Sequence, residues 1–272
     1  NQKILSFFSF QIKKYFFYKN QRQWFQFILV MLLGFIMTVS ISTNISDSIL
    51  QENQLANGIE RANKAEEDLC FEIGSNSDLI LENTITNNLV WTIEKFKNSP
   101  KGKLTFPTKF DMVDPILGLD HKGKVIARMS INPSEIINKV EFGTSRLKGR
   151  IEAINKLAEA DYPIGILIAP IILVENWKEL YENLLKELQE KLAEKAKKNV
   201  FFELIFMTYS YVHRMINTEA FPMAVNLYDT ELMTGRGKGK YMYKKVIRED
   251  AEVFMKDIMH KYFPNNKILY IS

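Results

Sequence analysis

The side chains able to do chemistry in this sequence are few, and they gather just after apolar runs. FEIGSNSD carries Glu72, Ser75, Asn76 and Asp78; TFPTKFD carries Thr108, Lys109 and Asp111; ARMSIN carries Arg128, Ser130 and Asn132. LIAPIILVENW adds Ala169 and Pro170, with Glu175 and Trp177 beyond, and FFELIFMT adds Glu203 and Thr208. Small hydroxyls beside one lysine and one arginine suit a ligand that presents a carboxylate or a ribose. A purely structural role competes for the charged residues. A carboxylate on an apolar strand is normally paired, and Arg128 and Lys109 are the partners on offer for Glu72 and Glu203.

Other chemistries lack their residues. There is no HExxH, no GxSxG and no Walker loop, and His121, His213 and His260 are far apart, with His121 in the turn LDHKGK where a solvated residue is expected. The one cysteine, Cys70, excludes an internal disulfide, a multi-cysteine zinc site and a cysteine-ligated cluster within one chain. On an apolar strand it reads as an inert small hydrophobe. The stretch LMTGRGKGKYMYKK, residues 232–245, is not a phosphate loop, because Gly239 and Lys240 are followed by Tyr241 rather than Ser or Thr. Gly235, Gly237 and Gly239 suit the tip of a hairpin, which as a bare turn needs no further role. Arg236, Lys238 and Lys240, with tyrosines beside them, suit a grip on a nucleic-acid backbone.

These residues need a scaffold, and from about residue 51 strand and helix alternate. LCFEIGS reads as a short buried strand after a polar helix that ends near Asp68. NTITNNLVWTIEKFKNS places Ile85, Leu89, Ile93 and Phe96 on one helical face, closed by Pro100 and Gly102. KLTFPTKF and KVIARMSIN are strands; SRLKGRIEAINKLAEADY is a helix; PIGILIAPIILV is a continuous apolar strand. ENWKELYENLLKELQEKLAEKAKKN predicts one long helix with leucines 180, 184, 185, 188 and 192 on a single face, followed by the strand NVFFELIF. After residue 210 come the glycine-rich stretch, a helix from Arg248 to Tyr262 and a last strand KILYIS. The alternation implies an α/β fold with a parallel sheet or partial β/α barrel, whose sites lie at the strands' C-terminal ends.

The 272 residues, 46% of them apolar, are enough for a real core, and the net charge of +4 permits an anionic partner without demanding one. A single cysteine and no clean secretory signal point to a reducing, cytoplasmic setting. Residues 1–50 differ from the rest. They run from aromatics and lysines into an uncharged stretch, Phe27 to Ile41, shorter than the roughly 20 apolar residues of a bilayer-spanning helix. Three readings stand for them: a membrane-associated segment, a buried segment, or non-native sequence.

Taken in order, FEIGSNSD, KLTFPTKFDMVD, ARMSINPSEIINKVEFGTSRLKGRIEAINKLAEADYPIGILIAPI, ENW, FFELI, GRGKGKYMY and YFPNNKILYIS resemble spore photoproduct lyase, over about residues 55 to 272. That family is a radical S-adenosylmethionine enzyme that repairs a thymine dimer in spore DNA. The resemblance implies a partial β/α barrel of the radical S-adenosylmethionine type with a C-terminal β-hairpin and helix extension. It implies contacts to S-adenosylmethionine from Lys109, Ser130 and Ala169, and double-stranded DNA as partner. Arg236 falls on the arginine with which the family hairpin probes the damaged duplex, although Gly237 stands where the family has a tyrosine.

Two departures bear on catalysis. Ser75 stands where the family has a hydrogen-donating cysteine, and an O–H bond is far stronger than S–H, which makes serine a poor radical hydrogen donor. Cys70, an odd number of positions earlier, is expected on the opposite face. The family's CxxxCxxC motif does not occur in these residues, and its three thiolates hold the [4Fe-4S] cluster that chelates S-adenosylmethionine, so no cluster is expected in this chain. An upstream frameshift or gene-model error that replaced the cluster segment is the expectation for the first fifty residues. The resulting expectation is a spore photoproduct lyase-like DNA repair protein, truncated or inactive as written. The alternatives are a noncatalytic nucleic-acid-binding module derived from that fold and a membrane-tethered protein.

Overall fold

Successive side chains of a strand point to opposite faces, and here that alternation separates core from site. The computed structural model describes residues 60, 64, 69–74, 77–99, 101–220 and 225–272. Its strands are β1 (Leu69–Glu72), β2 (Gly102–Thr108), β3 (Val125–Ile131), β4 (Ile164–Ile171), β5 (Phe201–Phe206), β6 (Thr208–Ser210), β7 (Met233–Gly237), β8 (Lys240–Tyr243) and β9 (Ile268–Ile271). Six of them form one sheet in the order β1-β2-β3-β4-β5-β9, with every pairing parallel. The sheet curls into a half barrel. On β3, Val125, Ala127, Met129 and Ile131 are buried on the helix-covered side, while Arg128 and Ser130 point into the concave side. The strand β4 is buried along nearly its whole length, as expected of a parallel strand covered on both faces.

The helices are α1 (Leu79–Thr86), α2 (Asn88–Phe96), α3 (Ser134–Val140), α4 (Leu147–Glu159), α5 (Trp177–Lys191), α6 (Glu194–Asn199), α7 (Tyr211–Ala220) and α8 (Lys245–Tyr262). On α4 the buried positions Leu147, Ile151, Ile154, Leu157 and Ala158 recur at helical spacing and pack on β3 and β4. The described residues lie in a unit that runs from Gly58 to Ser272.

Several elements differ from what the residue pattern predicts. The single helix expected across residues 83–99 is two, α1 and α2, broken at Asn87, which is left-handed with φ 57°. Asn83 Oδ1 accepts from Leu89 N (3.0 Å) and Val90 N (3.2 Å), and so restarts the chain as a new helix. Leu89, Ile93 and Phe96 are buried, but the break puts Ile85 out of phase, 85% exposed. The long helix expected to 199 stops at Lys191. Asn155 holds both sides of that break, donating to Lys191 O (3.0 Å) and accepting from Ala193 N (2.8 Å). The strand β1 is only half-buried, and Cys70 is exposed, because β1 is an edge strand paired with β2 alone. The helices α3 and α7 lie in stretches where no helix was expected, and α8 begins at Lys245 rather than Arg248. Of the helix expected before Asp68, Glu60 and Lys64 are described, both helical and paired at 2.5 Å, while the segment 1–50 lies outside the described residues. Among the described residues, no helix is long and apolar enough to cross a membrane.

Beyond the half barrel, β6, β8 and β7 form an antiparallel sheet in that order. The β7–β8 hairpin turns through Lys238 and Gly239, both at positive φ (50° and 68°), with Gly237 at 92° before them. Two central residues at positive φ match the right-handed twist of the flanking strands, which is why glycine recurs at this tip.

Candidate functional site

Parallel strands deliver their C-terminal residues to one rim, and the polar groups of this fold meet there. Lys109 follows β2, Ser130 ends β3 and Ala169 lies late in β4. The Lys109 ammonium donates to Ser130 Oγ (2.8 Å), to the Ala169 carbonyl (3.1 Å) and to Glu141 Oε1 (2.7 Å). Ser130 Oγ in turn donates to Ala169 O (2.9 Å). Three residues singled out from sequence motifs up to 60 positions apart thus share one hydrogen-bonded cluster.

Glu141, which sequence reasoning passed over, sits at the centre. Its Oε1 also accepts from Asn132 Nδ2 (2.9 Å), and its Oε2 accepts from Arg150 (2.7 Å). Arg150, wholly buried on α4, donates as well to Ser145 O, Ser130 O and Thr144 Oγ1. Burial works against the charge of Glu141, but Lys109 and Arg150 beside it hold its carboxyl below the ordinary value. Asn132, 0% exposed, is fixed by Pro170 O (3.1 Å) and by the Tyr181 hydroxyl (3.1 Å). Tyr181 closes the set by accepting from Ile172 N (2.8 Å), and burial raises its pKa. Glu141 directly precedes the turn FGTS and Arg150 lies five residues after it, but that turn looks like a connector until the fold brings it against β2.

Asp78 anchors the other wall. It caps α1 through Ile80 N (3.1 Å), and it accepts from Thr108 Oγ1 (2.8 Å) and from the Lys109 backbone N–H (2.8 Å). Asp111 accepts from Ser145 Oγ (2.7 Å) and presses on α4 so closely that a Cβ at Gly149 would stand 2.0 Å from its carboxylate. Ser75 and Asn76 lie outside the described residues.

Deeper in the concave face, Arg128 pairs with Glu72 of β1 and with Glu203 of β5 (3.3 Å), and Glu203 accepts from Tyr270 of β9 (2.7 Å). Arg128, not Lys109, is therefore the partner of both strand carboxylates. Glu175 and Thr208 are exposed, and Trp177 packs edge-on against Phe254. His121 is not the solvated turn residue expected. It is buried, stacked on Tyr162 with ring centroids 3.8 Å apart, and its Nε2 lies 3.0 Å from Ala160 O. The turn folds back over α4, and that burial gives the ring a structural role.

A second candidate surface is the hairpin. Arg236, Lys238 and Lys240 are exposed on it. Its root is tied to the rim, because Leu173 N, just past β4, donates to Tyr243 OH (2.9 Å), whose pKa burial pushes up to about 12. Tyr228 packs against Tyr241 of β8, and the Arg214 guanidinium lies 4.7 Å over the Tyr228 ring.

The fit of implied cofactors follows from these donors. A cation with a hydroxyl and a carbonyl beside it, on a rim open at Lys109, fits the carboxylate and hydroxyls of S-adenosylmethionine. The 272 residues do not fit a cluster held by three thiolates, since they contain only Cys70. Among the described residues, no group of three His, Cys, Asp or Glu is placed to hold a metal ion.

Comparison with known proteins gives a consistent picture. The family model for spore photoproduct lyase matches residues 32–272, beginning upstream of the motifs that carry the resemblance. A spore photoproduct lyase from Bacillus subtilis (strain 168) is 36% identical over 206 residues, which is 74% of this chain and 60% of that relative. One from Geobacillus sp. (strain Y412MC61) is 30% identical with the same coverage. A spore photoproduct lyase double mutant solved with bound AdoMet and dinucleoside spore photoproduct superposes with a TM-score of 0.76 at 30% identity, covering 80% of this chain and 66% of that one. The chain spans less than two thirds of the length of the relatives it matches.

Proposed function

We propose, from the premise that the chain belongs to the spore photoproduct lyase family, that it is a DNA repair protein of that type, acting on a thymine dimer. Its barrel rim binds S-adenosylmethionine, and its hairpin carries the damaged duplex to that rim. The convergence of Lys109, Ser130 and Ala169 within hydrogen-bond distance supports the reading most directly. In this reading Lys109 receives the ligand's carboxylate, Ser130 and the Ala169 carbonyl hold its polar groups, and Arg236, Lys238 and Lys240 meet DNA phosphates. Reductive cleavage of bound S-adenosylmethionine would supply the hydrogen-abstracting radical, and it requires an electron delivered by a cluster. These 272 residues carry only Cys70 and do not fit the cluster, so by themselves they bind S-adenosylmethionine without cleaving it.

Anaerobic incubation with iron and sulfide, followed by S-adenosylmethionine, a reductant and thymine-dimer DNA, tests the proposal. The expected result is binding of S-adenosylmethionine and of duplex DNA, with no cluster absorption near 400 nm and no 5′-deoxyadenosine. Cleavage of S-adenosylmethionine would refute the inactive reading. Absence of both binding activities would refute the assignment.

A further inference from the structure

An ammonium has three N–H donors, and those of Lys109 are all in use, on Glu141, Ser130 and Ala169. A ligand carboxylate that reaches Lys109 must therefore displace one acceptor. The Ala169 carbonyl can be released at little cost, since it keeps the Ser130 hydroxyl at 2.9 Å. Glu141 cannot, because it is also bound by Asn132 (2.9 Å) and Arg150 (2.7 Å), and Asn132 is pinned by Pro170 and Tyr181. Exposure separates the two residues in the same sense: the Glu141 side chain is 5% exposed and that of Lys109 is 32%. Of the two cations paired with Glu141, Lys109 is the one that reaches solvent, since Arg150 is wholly buried.

We infer that Glu141 is a positioning residue, the fixed anchor about which the Lys109 ammonium turns as it exchanges the Ala169 carbonyl for the carboxylate of S-adenosylmethionine. This deepens the S-adenosylmethionine reading above and rests on it.

The test is calorimetric binding of two ligands to the full chain, S-adenosylmethionine and methylthioadenosine, which shares the nucleoside but has no carboxylate. The wild type should prefer S-adenosylmethionine. Glu141→Gln should reduce that preference by about tenfold and leave methylthioadenosine within about twofold, the size expected for a lost charge-assisted hydrogen bond. In a Lys109→Met background, Glu141→Gln should change the preference no further. An unchanged preference in Glu141→Gln, or an equal loss for both ligands, overturns the inference. If circular dichroism shows that Glu141→Gln does not fold, Glu141→Asp reads the same ratio, because it keeps the charge that Arg150 needs but withdraws the oxygen from Lys109; a wild-type preference there overturns the inference. A wild type that binds neither ligand refutes the S-adenosylmethionine reading itself.

Discussion

Lys109 and Glu141 form a pair whose value to stability and value to binding differ. Burial pulls the Lys109 ammonium below its ordinary pKa in spite of Glu141. The folded state therefore disfavours the charged form, which costs stability at neutral pH. Lys109→Met should accordingly keep its urea-unfolding free energy within about 1 kcal/mol of wild type, since Glu141 retains Arg150 and Asn132, while S-adenosylmethionine affinity falls about tenfold. Glu141 behaves oppositely. Its depressed pKa contributes stability above the ordinary value of 4.5, and that stability is lost as pH falls through the folded-state value below it. Urea titrations from about pH 6 to pH 3 should show a loss of wild-type stability below pH 4.5 that is smaller in Glu141→Gln.

At the scale of elements, short polar side chains decide where helices stop. Asn155 satisfies the carbonyl and the N–H exposed where α5 ends and α6 begins. Asn155→Ala should cost about 1–2 kcal/mol in urea unfolding, the price of two lost hydrogen bonds, with no change in ligand affinity. The hairpin has the reverse balance. Arg236, Lys238 and Lys240 are exposed, so replacing all three by alanine should leave the thermal midpoint nearly unchanged. If each cation meets one phosphate, the slope of log affinity against log salt on duplex DNA should fall by about 2 to 3, read by fluorescence anisotropy across salt. An unaltered slope would remove the hairpin from the DNA surface.

At the scale of the whole barrel, Glu72, Arg128, Glu203 and Tyr270 run across the concave face from β1 to β9, edge to edge. Arg128 is 8% exposed and Glu203 2%. Removing Arg128 leaves the buried Glu203 carboxylate without its cation, so Arg128→Met should destabilise by about 3–5 kcal/mol in chemical denaturation. Adding Glu203→Gln should recover part of that loss, because a neutral amide can be buried at lower cost.

Local pattern was enough for whatever depends on near neighbours. The alternation of strand and helix, the apolar faces of β3 and α4, and the glycines of the hairpin tip are all visible in the residues, because period and turn chemistry act over a few positions. Motif order likewise pointed to Lys109, Ser130 and Ala169. Glu141, Arg150 and Tyr181 were invisible as site residues, and Ile85 was misplaced, for one reason. Their roles depend on contacts between groups distant in the chain, or on a single asparagine breaking a helix, and neither leaves a periodic trace. Only the curl of the sheet brings the turn after α3 against the end of β2, and it is that long-range packing, closed by hydrogen bonds in a water-poor interior, that makes a buried glutamate the anchor of the rim.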